Sequence, residues 1–256
     1  MTFAPTTVKD KVILVTGANR GIGKALVEVF LRHGAAKIYA TARNLEALPF
    51  SNEPRVVPMY LDLTKPETIH QAAQTATDVE ILVNNAGYLT RTAPLEASAV
   101  DALQDEMSVN VYGFMHVARE FHPALQRQNG GGGGGVLVQI NSVASFRCAV
   151  PEVSTYSASK AAAFSVTQAL RQSLAQAIPP TRVISVHPGP IATEMVKSAS
   201  EELAKMAEPP EQVAEHIIQA LAEPDVFLVY PDSKSKSLGE VYEPFASTII
   251  TGDRMY

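Results

Sequence analysis

Val12-Ile13-Leu14-Val15-Thr16-Gly17-Ala18-Asn19-Arg20-Gly21-Ile22-Gly23 is the stretch on which the fold turns. Its first four residues are an unbroken apolar run, the pattern of a short strand covered on both faces. Glycines then allow a tight turn, and Ile22–His33 has the periodicity of an amphipathic helix. A strand, a glycine turn and a helix start bring bare backbone close to an anion. The exposed amides and roughly half a positive charge at the helix N-terminus favour a diphosphate there.

Outward from this stretch the same rhythm repeats. Ile38–Thr41, Val56–Leu61, Val79–Val83, Gly135–Ile140, Arg182–Val186 and Val226–Val229 read as further strands. Helices are expected over Pro66–Ala76, Val100–Gln128, Thr155 to about Ile178, and Glu211–Leu221. Strands alternating with helices specify an α/β fold, a doubly wound seven-stranded parallel sheet of the Rossmann type. No change of composition marks a boundary, so residues 1–256 read as a single domain. The glycine run Gly130–Gly135 reads as a flexible surface connector, and the Ser/Lys-rich stretch Asp232–Ser237 as a loop.

Bulk properties narrow the function. A formal net charge of −5 over 256 residues gives no basis for binding nucleic acid or an anionic membrane. Cys148 is the one cysteine, which rules out an intrachain disulfide and suits a reducing compartment. Met1–Thr7 lacks the features of a secretory signal, and no apolar run approaches the roughly 18 residues of a membrane span. The cytoplasm is the expected location. The histidines show no ligand spacing with Cys, Asp or Glu, so no metal is expected.

At the end of the second predicted strand, Ala42-Arg43 stands where an NAD site carries an acid for the ribose 2′-hydroxyl. An acid would repel a 2′-phosphate, whereas Arg43, flanked by Arg20 from the glycine turn, can pair with it. NADP(H) is therefore the expected cofactor. Asp62-Leu63 and Asn84-Asn85-Ala86-Gly87 close the third and fourth strands, at the sheet edge where ligands bind in open α/β folds.

Tyr156 and Lys160 are four apart at the start of a long helix, and so share one face. Hydride delivery to a carbonyl builds an alkoxide that an acid must protonate. A phenol titrates near 10, and an adjacent ammonium would lower that value. Tyr156 is thus the expected general acid/base and Lys160 its tuner. Ser142, ending the fifth strand, can hold the substrate oxygen beside Tyr156.

The glycine spacing resembles the T-G-x-x-x-G-x-G of the short-chain dehydrogenase/reductase family, and N-N-A-G, Ser142 and Y-x-x-x-K follow in that family's order. The resemblance implies an oxidoreductase interconverting a small-molecule ketone or aldehyde with an alcohol. It implies cofactor contacts from Gly17, Asn19, Arg20, Gly21, Ile22, Gly23, Arg43, Asp62, Leu63, Asn84, Ala86 and Gly87. By the same resemblance Asp62-Leu63 lies at the adenine, and N-N-A-G braces the sheet and lines the ribose. Asn110 supports a water-linked proton path, and Lys160 also holds the nicotinamide ribose, with Tyr156 beside it. Pro188, Gly189, Ile191 and Thr193 match the P-G-x-x-x-T that receives the carboxamide.

Two departures stand out. Asn141 replaces a common serine, and the Ser142–Tyr156 interval is about one residue longer than the family pattern, which makes Ser145 a rival for the serine role. The remaining expectations are a helical substrate lid over residues 194–208, and a homodimer or homotetramer formed through the two long helices. A non-catalytic dinucleotide sensor and a lyase-type relative are the alternatives; the intact glycine turn, Tyr156 and Lys160 weigh against both.

Overall fold

The computed structural model describes residues 3–127, 134–199 and 201–246. In chain order the elements are β1 (Val12–Val15), α1 (Gly21–Arg32), β2 (Lys37–Ala42), β3 (Val56–Tyr60), α2 (Pro66–Thr75), β4 (Ile81–Asn84) and α3 (Ala99–Met107). They continue with α4 (Phe114–Leu125), β5 (Val136–Ile140), α5 (Ser154–Ala175), β6 (Arg182–Val186), α6 (Glu194–Ala199), α7 (Glu201–Lys205), α8 (Pro210–Ala222), β7 (Leu228–Val229) and α9 (Ser233–Phe245). The strands form one seven-stranded sheet in the order β3-β2-β1-β4-β5-β6-β7, parallel at every pairing. Chain direction across the sheet reverses between β1 and β4, which opens a crevice at the strands' carboxyl ends.

Strand alternation explains why the apolar runs are continuous. Ile13 and Val15 of β1 enter one core with Leu26 and Phe30 of α1 and Ile217 of α8. Leu14 enters the opposite core with Phe121 of α4 and Ala163 of α5. Each fully buried side chain of this kind contributes roughly 1.5–3 kcal/mol by leaving water. Pro58, which cannot donate to a ladder, is confined to β3 at the sheet edge.

One expectation is refined and one fails. The helix expected over Val100–Gln128 is helical throughout Ala99–Leu125, but a π-helical turn, Ser108–Gly113, lies between α3 and α4. Gly113 explains part of this, because a Cβ there would lie 2.6 Å from Leu63 Cβ. The stretch Asp232–Ser237 is not a loop but the start of α9. Asp232 accepts from the amides of Lys234 (3.1 Å) and Ser235 (3.0 Å), while the Ser235 hydroxyl accepts from the Asp232 amide (3.0 Å). This is a capping box with Ser in place of the usual Glu. Most of the glycine connector lies outside the described residues; its last member, Gly135, precedes β5 and donates to Leu125 O.

Candidate active site

The glycine turn is built to bring backbone to backbone. Gly17 and Gly21 hold left-handed φ angles of +66° and +53°, a region L side chains rarely enter. A Cβ on Gly23 would stand 2.1 Å from Gly17 O, so α1 begins pressed against the turn. Its first turn carries no acid, and Arg20, at the N-cap, makes no side-chain cap bond. The helix start thus offers uncompensated donors toward the crevice, which suits an anion. Asn19 and Ile22 are half-buried beside it.

Arg20 and Arg43 are exposed, with no ion pair among the described residues. Arg43 lies close enough to act on Asp62. Burial works to raise the Asp62 carboxyl, but bonds from the Thr64 amide and hydroxyl, helped by Arg43 and Lys65, hold it below its ordinary value. Leu63 is buried against the π-helical turn.

After β4, Asn84 is buried with both amide atoms unpartnered among the described residues. Asn85 carries the brace: its side chain donates to Thr16 O at 2.8 Å, and the Asn85 and Ala86 amides donate to Thr16 Oγ1 at 2.9 and 3.0 Å. Gly87 sits under Lys160 and Asn110, since a Cβ there would lie 3.7 Å from Lys160 Nζ and 3.3 Å from Asn110 Oδ1. Asn110, in the π-helical turn, accepts from Tyr88 N (2.9 Å) and donates to Tyr88 O (2.8 Å) and Ser159 Oγ (2.9 Å). Its side chain is a brace for the 88 segment.

Ser142, Tyr156 and Lys160 converge at the carboxyl end of β5. The Ser142 hydroxyl accepts from Ala144 N at 3.1 Å and lies near enough to the Tyr156 phenol to favour its ionised form. Ser145 is buried with its hydroxyl unpartnered among the described residues, so the contact with Tyr156 belongs to Ser142. Lys160, 3% exposed, donates to Ile140 O at 3.0 Å and stands 5.8 Å from the Tyr156 ring centroid. Burial brings Lys160 down to about 8. Burial also pushes Tyr156 up to about 12; the Ser142 hydroxyl opposes the shift and the charge of Glu106 adds to it. The direction is opposite to that expected from an adjacent ammonium, because desolvation of the phenolate is the largest influence on Tyr156.

Pro188, Gly189, Ile191 and Thr193 follow β6 along the same edge. Pro188 O accepts from Val143 N at 3.0 Å, which ties this turn to the serine loop. A Cβ on Gly21 would meet Thr193 Cγ2 at 2.9 Å, so the turn also touches the glycine loop. Gly189 N donates to Asp232 Oδ2 at 2.7 Å, an amide held by the protein itself. Ile191 bridges to Glu208 across α6 and α7.

The family model for short chain dehydrogenases matches residues 11–204. The chain belongs to the short-chain dehydrogenase family. An uncharacterised oxidoreductase of Staphylococcus aureus is 31% identical over 230 residues, covering 86% of this chain and 94% of that protein. A short-chain dehydrogenase of Burkholderia cenocepacia, solved in complex with NADP, is 33% identical with a TM-score of 0.82, covering 96% of this chain and 100% of that one. A Streptomyces avermitilis short-chain dehydrogenase is 26% identical with a TM-score of 0.78, covering 93% and 94%.

Two residues of this dehydrogenase's site carry more than their sequence positions disclosed. Thr16 and Asn85, 69 positions apart, lock the glycine turn to the end of β4. The hydroxyl before the first glycine and the second asparagine of N-N-A-G were the available signals. Among the described residues no three His, Cys, Asp or Glu side chains gather as a metal site, and no helix is long and apolar enough to cross a membrane.

Proposed function

We propose that this oxidoreductase interconverts a ketone or aldehyde with the corresponding alcohol, with NADP(H) as cofactor and Tyr156 as the general acid/base. The observation that carries the reading is the Ser142–Tyr156 hydroxyl pair with Lys160 buried beside it, at the crevice onto which the uncapped start of α1 opens. NADP rather than NAD is inferred from Ala42 and Arg43 at the end of β2 and from the NADP complex of the Burkholderia relative. The glycine turn would hold the diphosphate, Arg43 and Arg20 the 2′-phosphate, and Asp62, Leu63, Asn84, Ala86, Gly87 and the Pro188–Thr193 turn the rest. Bound NADPH would supply the hydride.

The chain's residues would then handle the oxygen. Ser142 donates to the carbonyl and fixes it beside Tyr156. With its phenol pushed up to about 12, Tyr156 keeps its proton throughout the neutral range and can give it to the growing alkoxide. Lys160 faces the resulting phenolate at short range and limits its charge. Asn110 holds the neighbouring segment, and α6 and α7 act as the substrate lid. We also infer a cytoplasmic enzyme that pairs through α4 and α5.

The test is NADPH oxidation against a panel of ketones and aldehydes, with NADH and Tyr156→Phe alongside. Turnover should prefer NADPH and fall about 10²- to 10⁴-fold in the variant, with NADPH binding, read by fluorescence, retained. A variant as active as the parent removes the assignment of Tyr156.

A further inference from the structure

Glu106, on α3, is a buried carboxyl that the proton transfer does not use. It has no exposed surface, and no lysine, arginine or histidine pairs with it among the described residues. Burying such a group is costly unless its bonds repay the lost hydration, so its partners are informative. Oε1 accepts from the Thr90 amide at 2.7 Å. The Thr155 hydroxyl lies near enough to stabilise the carboxylate charge, although neither Oε2 nor Thr155 Oγ1 has a full hydrogen-bond partner among the described residues.

One turn further on, Asn110 grips Tyr88 through both of its backbone polar atoms. The two side chains therefore hold the 88–90 segment from one helical face, Asn110 at its start and Glu106 at its end. Beyond this, Thr92 forms a parallel bridge with Val153, and its amide donates to Glu152 O at 2.9 Å. The 88–92 segment is thus fastened between α3 and the residues that open the helix of Tyr156. It also continues directly from Gly87, which lies against Lys160. Burial raises the Glu106 carboxyl; the Thr90 amide and the Thr155 hydroxyl oppose that and Asp105 adds to it. Across the junction the other titratable group that feels Glu106 is Tyr156.

We propose that Glu106 is a positioning residue for the carbonyl substrate, its carboxyl oxygen holding the 88–92 segment as the pocket wall beside Tyr156. The proposal rests on the carbonyl-reductase reading. It separates the hydrogen bond from the charge. E106Q keeps an oxygen for the Thr90 amide without the charge; E106D keeps the charge but is too short to reach.

Both variants are made in the full chain and assayed with the best-reduced member of the ketone and aldehyde panel. E106D is expected to raise the KM for that carbonyl about tenfold or more, the scale of one lost charge-assisted hydrogen bond. Its NADPH Kd should stay within about twofold, and E106Q should return the KM to within about threefold of the parent. A merely stabilising role would lower the melting temperature and leave that split untouched. Wild-type KM in E106D, or a KM in E106Q as high as in E106D, overturns the proposal. If E106D does not fold, hydrogen exchange in the wild-type holoenzyme carries the test. The same carbonyl should slow exchange across 88–92, and unchanged exchange there overturns the proposal. Failure of the parent reading looks different: wild type would bind NADPH and reduce nothing on the panel.

Discussion

His187 shows how much one side chain can disclose about the ground under the candidate site. It is fully buried, its Nδ1 lies 3.2 Å from Ser142 O and its Nε2 2.8 Å from Ser185 Oγ. Phe146 and Phe164 stand with ring centroids at 4.6 Å each. Desolvation pulls its pKa down to about 3, the Ser142 bond opposing and Lys160 adding to the shift. The folded protein therefore refuses a proton that the unfolded chain accepts near 6.5, so stability is full above that pH and is lost as pH falls toward 3. Between pH 7 and 5 the unfolding free energy should drop with a limiting slope of about 1.4 kcal/mol per unit. His187→Gln should flatten that slope in urea titrations at the two pH values; an unaltered slope would assign the acid loss elsewhere. The residues we propose to react could be picked out in the sequence because that chemistry demands particular types at particular spacings: Tyr156 and Lys160 four apart, glycines at a strand-to-helix turn. The partners of Asn85, Thr16 and Glu106 could not, because they are set by tertiary contact. The ionisation of Tyr156 was misjudged for the same reason: sequence shows the neighbouring charge but not the depth of burial.

At the scale of elements, the strands were readable because burial on both faces leaves unbroken apolar runs. The π-turn between α3 and α4 was not, since it adds a single residue within a helix whose apolar spacing stays helical on either side. The hidden element was α9. Its inward positions include Ser235, Gly239 and Tyr242, spaced as a helix requires but mostly not apolar. Gly239 lets the helix lie on the ring of Tyr230, which a Cβ would approach to 2.6 Å. Tyr242 reaches Phe146, with ring centroids 4.3 Å apart, so the tail buttresses the serine loop. Asp232 joins the two jobs, capping α9 and holding the Gly189 amide. Asp232→Ala should therefore cost about 1 kcal/mol for the cap and about as much again for the orphaned amide. Asp232→Asn, which keeps an acceptor oxygen, should recover at least half. Denaturant unfolding of the pair decides this, and an Ala variant within 0.5 kcal/mol of the parent, about the scatter of neutral surface changes, would mean that the cap is dispensable.

For the whole molecule, the open question is what covers the outer faces of α4 and α5. A groove of about 430 Å³ runs between them, lined by Tyr112, Met115, Val166 and Leu170 among others. Tyr112 is 54% and Met115 46% exposed, a costly display for side chains of their size. Alongside, Ala158, Ala161, Ser165 and Ala169 form an exposed row of small residues on α5, so that another helix can approach closely. A surface that offers both a groove with protruding side chains and a flat small-residue row can complement itself about a twofold axis, the commonest symmetry of soluble oligomers. The net charge of −5 is too small to keep two copies apart at ordinary ionic strength. Sedimentation at micromolar concentration should therefore give two or four times the 27.5 kDa of one chain. Met115→Glu places a charge in that face without disturbing either core, so it should shift the protein toward monomer while leaving its far-ultraviolet circular dichroism unchanged. A wild-type monomer at micromolar concentration would refute the assembly. A dimer indifferent to Met115→Glu would keep the assembly but move its interface to another face.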